Sequence, residues 1–191
     1  MDYSFATSAT ALDRRGRTRD NPLPTCRPNP DTVRMAPNLT SAGPRRTSVR
    51  RVDHLTPEIV DFLSAGTRTG KLAWTAADGR PLVAPIWFVV DDGAVLFNTG
   101  KETAKGRAIR RDPRLALCVD LEEPPFAFVQ VQGIATISED PDDLLRSATA
   151  IGGRYMGAAR AQEFGRRNGV PGELLVRLRP TKVIAVMDMT A

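Results

Sequence analysis

The sequence predicts a mainly β (α+β) fold, a small antiparallel β-barrel with short helices in its connections. Three observations lead to this prediction. About five to seven segments have the length and residue types of strands, the turns "ADGR" and "DDGA" join some of them, and the apolar period becomes helical in between. A chain of 191 residues accommodates one such domain and a tail.

The folded part begins with a helix that leads into strands. Thr56 is a good N-cap residue, and Gly66 ends the helix. Residues 71–100 then predict three antiparallel strands. Pro81 and Pro85 remove backbone donors from the second of them, so this strand is at an edge of the sheet or carries a bulge.

A second helix separates these strands from the next pair. Thr99 and Glu102 have the spacing of a capping box, and the helix that they open ends before Pro113. The segments "RLALCVDLEE" and "FAFVQVQGIATISE" are the next two strands, and Gly133 marks a kink or bulge in the second.

The last part of the chain combines helix and strand. The segment "DPDDLLRSATAIGGRYMGAARAQEFGRRNG" predicts a helical connection that is broken at Gly152 and Gly153. The segment "ELLVRLRPTKVIAVMD" then closes the sheet as one bent strand or as a pair. The folded domain therefore covers residues 53–191.

Residues 1–52 form a basic arm of different composition. They carry ten arginines against four aspartates and show no helical or alternating apolar pattern. Three interpretations stay open: a disordered tail, an over-long reading frame whose true start is Met35, and a segment that contacts nucleic acid. The composition favours the tail and makes nucleic-acid contact the weakest of the three.

Several classes of protein are excluded by composition. The two cysteines, Cys26 and Cys118, cannot form a disulfide framework, and the single histidine, His54, is too few for a metal site or a Ser-His-Asp triad. No apolar run approaches the length that spans a membrane. We therefore expect a cytoplasmic protein without a resident metal.

The stretch "FNTGKETAKGRAIRRDPRLAL", residues 97–117, carries an unusual density of positive charge. One interpretation is a solvated helix face. The other is a phosphate-binding cradle, because a helix N-terminus after a hairpin strand attracts anions. Lys101 and Lys105 are four residues apart, and Thr99 and Thr103 add hydroxyl donors. We favour the cradle.

Aromatic residues lie close to this cradle in the sequence. Trp87 and Phe88 end one strand and Phe97 precedes the helix. A flat ring beside an anion site suits a ligand with an aromatic head and a phosphorylated tail. Ordinary core packing remains the alternative for each of the three rings.

The segments "GRPLVAPIWFVVDDGAVLFNTGKETAKGRAIRRDPRLALCV" and "PPFAFVQVQGIATI" resemble the flavin-binding split β-barrel superfamily. This superfamily contains pyridoxamine 5'-phosphate oxidase and the oxidoreductases that use the deazaflavin coenzyme F420. The chain resembles most the F420-dependent branch with biliverdin-reductase-like proteins, over roughly residues 55–189. The C-terminal substrate-binding motif of the oxidase itself is not found.

The resemblance implies a split β-barrel that binds its cofactor along one strand and one helix. Its implied cofactor-binding residues are Pro85, Ile86, Trp87, Thr99, Lys101, Thr103, Lys105, Arg107, Gln130, Gln132, Arg154 and Tyr155. The residues from Thr99 to Arg107 would hold the phosphate, and the backbone of residues 85–87 would contact the ring. Members are homodimers, so Arg154, Tyr155 and Met156 are candidates to reach the partner's site. Gln130 or Gln132 would contact the ring or the second subunit.

The function that the resemblance implies is hydride transfer from reduced F420 to a planar organic acceptor such as a tetrapyrrole or quinone. Arg110, Arg111 and Arg154 would then attract the oligoglutamate tail of F420. An FMN-dependent oxidase or reductase of the same fold and a non-catalytic flavin- or haem-binding module are the alternatives. The residues indicate neither the substrate nor a catalytic proton donor.

Overall fold

The computed structural model describes residues 48–191. The rest of the basic arm, with Cys26 and Met35, lies outside the described residues. The strands are β1 Val49–Val52, β2 Gly70–Thr75, β3 Pro81–Ile86, β4 Val89–Asp91, β5 Ala94–Gly100, β6 Arg114–Asp120, β7 Phe128–Ser138 and β8 Glu173–Val186. The helices are α1 Pro57–Ser64, α2 Ala104–Arg111, α3 Pro141–Met156 and α4 Ala161–Asn168, with a short 3₁₀ helix at Ala158–Arg160.

The eight strands form one antiparallel sheet in the order β3-β2-β6-β7-β8-β5-β4, and β1 pairs with the second half of β8. The path ends on β3 and β4, so the sheet is not closed. This architecture confirms the predicted α+β class and is consistent with the antiparallel split β-barrel. It also leaves β3 as an edge strand, as its two prolines predict.

The long strands β7 and β8 connect the two halves of the sheet. The first half of β8 pairs with β5 and its second half with β1, while β7 runs alongside both halves. The β7–β8 register shifts between Gln132 and Gly133, which confirms the predicted irregularity. The segment 173–186 is therefore one long strand.

The inner face of the sheet holds the main core. Phe88, Phe97 and Leu117 are fully buried there, and α1 adds Ile59 and Leu63. A second cluster lies where α3 covers β5 and β8, and it contains Ala94, Leu96, Leu144 and Leu175. The second cluster places α3 beside β4, β5 and β8.

The structure corrects the predicted start of the second helix. Thr103 caps α2, because its hydroxyl accepts a hydrogen bond from the Gly106 amide, while Thr99 belongs to β5 and pairs with Leu174. The capping-box assignment to Thr99 was therefore wrong. Pairing with β8 extends β5 to Gly100, beyond the point where the local pattern predicts a helix.

Three further predictions of secondary structure differ from the structure. Residues 71–100 contain parts of four strands, because the chain leaves β3 after Ile86 and pairs again in β4. Val49–Val52, placed in the arm by composition, form β1. Helix α3 runs through Gly152 and ends at Met156, with Gly157 at φ 88° as its C-cap. A Cβ on Gly152 would lie 2.5 Å from Phe164 Cβ, so this glycine allows α3 and α4 to pack closely.

Residues 48–191 contain neither a helix that could cross a membrane nor a cluster of metal-ligating side chains. None of their helices combines the length and apolar character needed to cross a membrane. Their His, Cys, Asp and Glu side chains form no group of three that could hold a metal ion.

Candidate functional site

A cavity of about 380 Å³ lies where the end of β3 meets β5, β8 and the helices. We call it the Lys105 cavity. Its lining comprises Pro85, Ile86, Trp87, Asn98, Lys105, Ala148, Ile151, Asn168 and Glu173. Four of the residues that the resemblance implies, Pro85, Ile86, Trp87 and Lys105, therefore lie together. Asn98, Asn168 and Glu173 are additions that the sequence did not indicate.

The end of β3 supplies one wall with an accessible backbone. The Ile86 side chain is buried in the core, whereas Trp87 is 39% exposed. Because β3 is an edge strand, the backbone groups along its outer side have no strand partner within residues 48–191. Such groups can hydrogen-bond the polar edge of a flat ring that lies along residues 85–87.

Lys105 is the cation of the cavity, and the Glu173 carboxylate in the same lining interacts with it electrostatically. Burial lowers the pKa of Lys105, and the attraction of the Glu173 carboxylate partly offsets this effect. Burial also raises the pKa of Glu173, and Lys105 opposes that shift. Within residues 48–191 Lys105 forms no ion pair with a carboxylate, so its ammonium can accept an anionic ligand. Glu173 disfavours that ligand electrostatically.

Asn98 provides a second group without a partner. Its Oδ1 accepts a hydrogen bond of 2.9 Å from the Ser147 hydroxyl. Its Nδ2 is buried and has no hydrogen-bond partner among the described residues. A buried donor without a partner costs free energy, which an acceptor atom of a bound ligand would recover. Asn98 follows directly after the apolar segment "AVLF" within β5, a signal that sequence reasoning could have used.

The remaining residues of the predicted cradle surround the start of α2, outside the cavity lining. Thr99 is 6% exposed, and its Oγ1 lies 3.3 Å from Thr103 Oγ1. Lys101 Nζ lies 3.4 Å from a Glu139 oxygen, and Arg107 is exposed and donates to the Glu102 carbonyl. These groups already have hydrogen-bond or ion-pair partners within the chain. Lys105 is therefore the cation best placed for a ligand in the cavity.

Gly106 holds the start of α2 against the end of β5. A Cβ at this position would lie 2.3 Å from the Gly100 carbonyl oxygen, a distance that no side chain tolerates. The Thr103 hydroxyl accepts from the Gly106 amide at 3.0 Å and donates to the Gly100 carbonyl at 2.7 Å. This tight turn fixes Lys105, one residue earlier, toward the cavity.

Tyr155 and Arg154 on α3 position the segment that carries Trp87. The Tyr155 ring stacks on Trp87 with centroids 4.9 Å apart. Its hydroxyl accepts from the Phe88 amide at 3.3 Å and donates to the Arg68 carbonyl at 2.9 Å. Arg154 donates to three backbone carbonyls of its own chain, so its guanidinium is engaged within the protomer. Neither residue lines the cavity.

Gln130 and Gln132 lie on a different surface, the outer face of β7. Gln132 Nε2 donates to Gln130 Oε1 at 2.9 Å. Their cross-strand neighbours include Cys118 and Ala116 on β6, and none of these residues borders the Lys105 cavity. The structure therefore separates the two glutamines from the other implied cofactor-binding residues of one protomer.

A sequence model of the family described as Pyridoxamine 5'-phosphate oxidase matches residues 55–187. No curated protein gives a significant match.

Three solved structures illustrate the similarity. The conserved hypothetical protein Rv2991 from Mycobacterium tuberculosis is 26% identical with a TM-score of 0.62, over 72% of this chain and 89% of that chain. A protein described as F420 reductase is 25% identical with a TM-score of 0.52, over 67% of this chain and 98% of that one. The haem storage protein HutZ from Vibrio cholerae is 18% identical with a TM-score of 0.55, over 72% and 99%, and shares the fold alone.

Proposed function

Because the chain belongs to the pyridoxamine 5'-phosphate oxidase family, we propose that it is an F420-dependent oxidoreductase. Its substrate would be a planar organic acceptor such as a tetrapyrrole or quinone. The observation that carries the proposal is the Lys105 cavity, where a cation, a buried donor without a partner and the edge of β3 meet. The similarity to an F420 reductase over 98% of that chain favours F420 over FMN.

The residues of the cavity fit a cofactor with a flat ring and a phosphate. Lys105 would pair with the phosphate, and a charge-assisted hydrogen bond of this kind is stronger than a neutral one. Asn98 Nδ2 would donate to an oxygen of the bound group. The backbone of residues 85–87 would contact the ring edge, and Tyr155 would hold Trp87 in place by stacking.

The cofactor, when bound, supplies the hydride, and the protein supplies binding and orientation. Tyr155 is not the proton donor in this proposal. Its hydroxyl hydrogen is directed to the Arg68 carbonyl, and burial raises the pKa of this phenol above its ordinary value. The proton then comes from solvent through the open side of the cavity.

A homodimer is the second part of the proposal, and the outer face of the sheet supports it. Val83 on β3 is 67% exposed, and Ile134 on β7 is 44% exposed. Gln130 and Gln132 lie on the same face, and cross-strand pairing through Ala73 and Ala116 puts Gln132 in the row of Val83. A second copy that covers this face would bring the two glutamines into the interface, which is one of the two contacts that the resemblance implies for them. Light scattering of wild-type protein and of Val83→Glu tests it: a wild-type monomer would refute the dimer.

The experiment that tests the cofactor proposal is a fluorescence titration of the purified chain with F420 and with FMN. We expect tighter binding of F420. Lys105→Ala should weaken it by about 10- to 150-fold, because the loss of one charge-assisted bond costs about 1.5–3 kcal/mol. Arg80→Ala is the control, since it removes an exposed cation from the turn between β2 and β3.

Each other outcome has a distinct meaning. Preference for FMN would assign the protein to the flavin-dependent members of its fold. Equal affinity of the Lys105→Ala variant and wild type would show that the cavity does not hold the phosphate. If F420 binds but no hydride reaches any tetrapyrrole or quinone in single-turnover absorbance measurements, the protein is a binding module.

A further inference from the structure

A second cavity, of about 490 Å³, lies between α3 and the strands β4, β5 and β8. We call it the Arg177 cavity. Its polar side chains include Arg177 from β8 and Arg146, Ser147 and Asp143 from α3. Its volume lies within the range of small-molecule sites. The proposed function uses none of these groups.

Arg177 has one guanidinium nitrogen with no partner. Its Nη2 lies 3.3 Å from Asp143 Oδ1. Its Nη1 is buried and has no hydrogen-bond partner among residues 48–191. A buried, charged donor in this state is costly, so an acceptor belongs beside it.

The cavity lining carries two arginines and two aspartates, but only Asp143 pairs with the arginines among residues 48–191. Asp143 is fully engaged, since its Oδ2 accepts from Ser138 and its Oδ1 faces both Arg146 and Arg177. The Ser138 hydrogen bond and the two arginines keep the pKa of Asp143 below its ordinary value, so this carboxylate stays ionised. One carboxylate thus serves two guanidinium groups, and the exposed Asp91 lies at the edge of the cavity.

The rest of the lining is apolar. Val89, Leu96 and Leu175 contribute side chains from three strands, and Leu96 and Leu175 are nearly fully buried. A ligand that contacts both the arginines and the apolar lining of the cavity needs a small anionic head and a hydrophobic body. A polyanion is disfavoured, because its further charges would meet Asp143 and Asp91.

We propose that the Arg177 cavity binds a small organic monocarboxylate. The carboxylate accepts hydrogen bonds from Arg177 Nη1 and from Arg146, in the planar geometry that guanidinium groups favour. The hydrophobic body packs on Val89, Leu96 and Leu175.

This site is a direct neighbour of the Lys105 cavity. Ser147, which lines the Arg177 cavity, donates to Asn98, which lines the Lys105 cavity. The two cavities therefore share a wall. The inference does not depend on the proposed function, because it rests on Arg177 and its neighbours alone.

Calorimetric titration of the full chain with 4-phenylbutyrate and with 4-phenylbutyramide tests the proposal. The amide has the same body but lacks the negative charge. We expect saturable binding of one carboxylate per chain and at least tenfold weaker binding of the amide. The side-chain ¹⁵Nε signal of Arg177 should shift during the carboxylate titration.

Three variants make the test specific. Arg177→Met should weaken carboxylate binding at least tenfold. Arg179→Met is the matched control on the same strand, because Arg179 pairs with Asp92 at the surface and does not line the cavity. Asp143→Asn should tighten carboxylate binding, an effect opposite in sign to that of general damage to the site.

Three results would overturn the proposal. They are no binding of the carboxylate to wild type, equal affinity for acid and amide, or unchanged affinity in Arg177→Met. If Arg177→Met does not fold, the acid–amide contrast and the sign of the Asp143→Asn effect decide.

Discussion

Replacement of Arg154 by methionine should destabilise the fold more than any exposed substitution on the helices. The guanidinium donates to the Leu63, Gly66 and Phe88 carbonyls at 2.6, 3.1 and 2.8 Å. It also lies 4.4 Å from the centre of the Phe88 ring. These contacts tie α3 to the end of α1 and to the chain between β3 and β4.

The magnitude follows from the number of contacts. Each net hydrogen bond contributes about 1 kcal/mol in a half-exposed setting, and the cation–π contact about 0.5–1 kcal/mol. Arg154→Met should therefore lower the free energy of unfolding by about 3.5–4 kcal/mol. For a domain of this size that corresponds to a fall in Tm of about 7–16 °C. Arg154→Lys, which keeps the charge but loses the fork of donors, should lose about half as much.

Urea unfolding followed by circular dichroism measures this loss. Arg166→Met is the control, because Arg166 is exposed on α4 and its replacement should change stability by less than about 0.5 kcal/mol. A loss below about 1 kcal/mol in Arg154→Met would refute the structural role. Arg154 would then be available for the partner or for the cofactor tail, as the resemblance suggests.

Further predictions concern the Lys105 cavity and α2. Glu173→Gln should tighten anion binding several-fold in the cofactor titration, and weaker binding would contradict the opposition of Glu173 to an anion. Burial raises the pKa of Glu173, so the folded state holds its proton more tightly than the unfolded chain. The free energy of unfolding should therefore fall as pH rises from the ordinary carboxyl pKa through the raised one, and Glu173→Gln should remove this slope in urea melts at several pH values. Thr103→Ala should cost about 1 kcal/mol through the lost cap, whereas Thr103→Ser should be nearly neutral. Gly106→Ala should cost more than Thr103→Ala, because its Cβ would meet the Gly100 carbonyl; equal unfolding midpoints would contradict this.

Much of the fold could be predicted from local sequence. The turns, the prolines of β3, the alternation of β7 and the helix that begins after Thr56 depend on residues close together in the chain, and all appear in the structure. The predictions that were wrong failed where a distant segment overrides a local preference. Thr99 matches a cap by spacing, but pairing with Leu174 keeps it in β5. Gly152 suggests a break in the helix, but α3 continues through it, and the glycine is there because Phe164 packs closely against it.

In the candidate site, too, some residues could be predicted from local sequence and others only from the tertiary structure. The basic start of α2 indicated Lys105 from the residues themselves, whereas residues 85–87 entered only through the family resemblance. The sequence could not indicate Glu173 or Asn98, since only the pairing of β5 with β8 and the packing of α3 bring them to Lys105. Nor could it distinguish Arg154, held by carbonyls from α1, from Arg177, whose buried Nη1 has no partner in the described part of the chain. The sequence sets the type of each side chain. Which of its hydrogen-bonding groups lack a partner depends on the distant groups that the fold places around it.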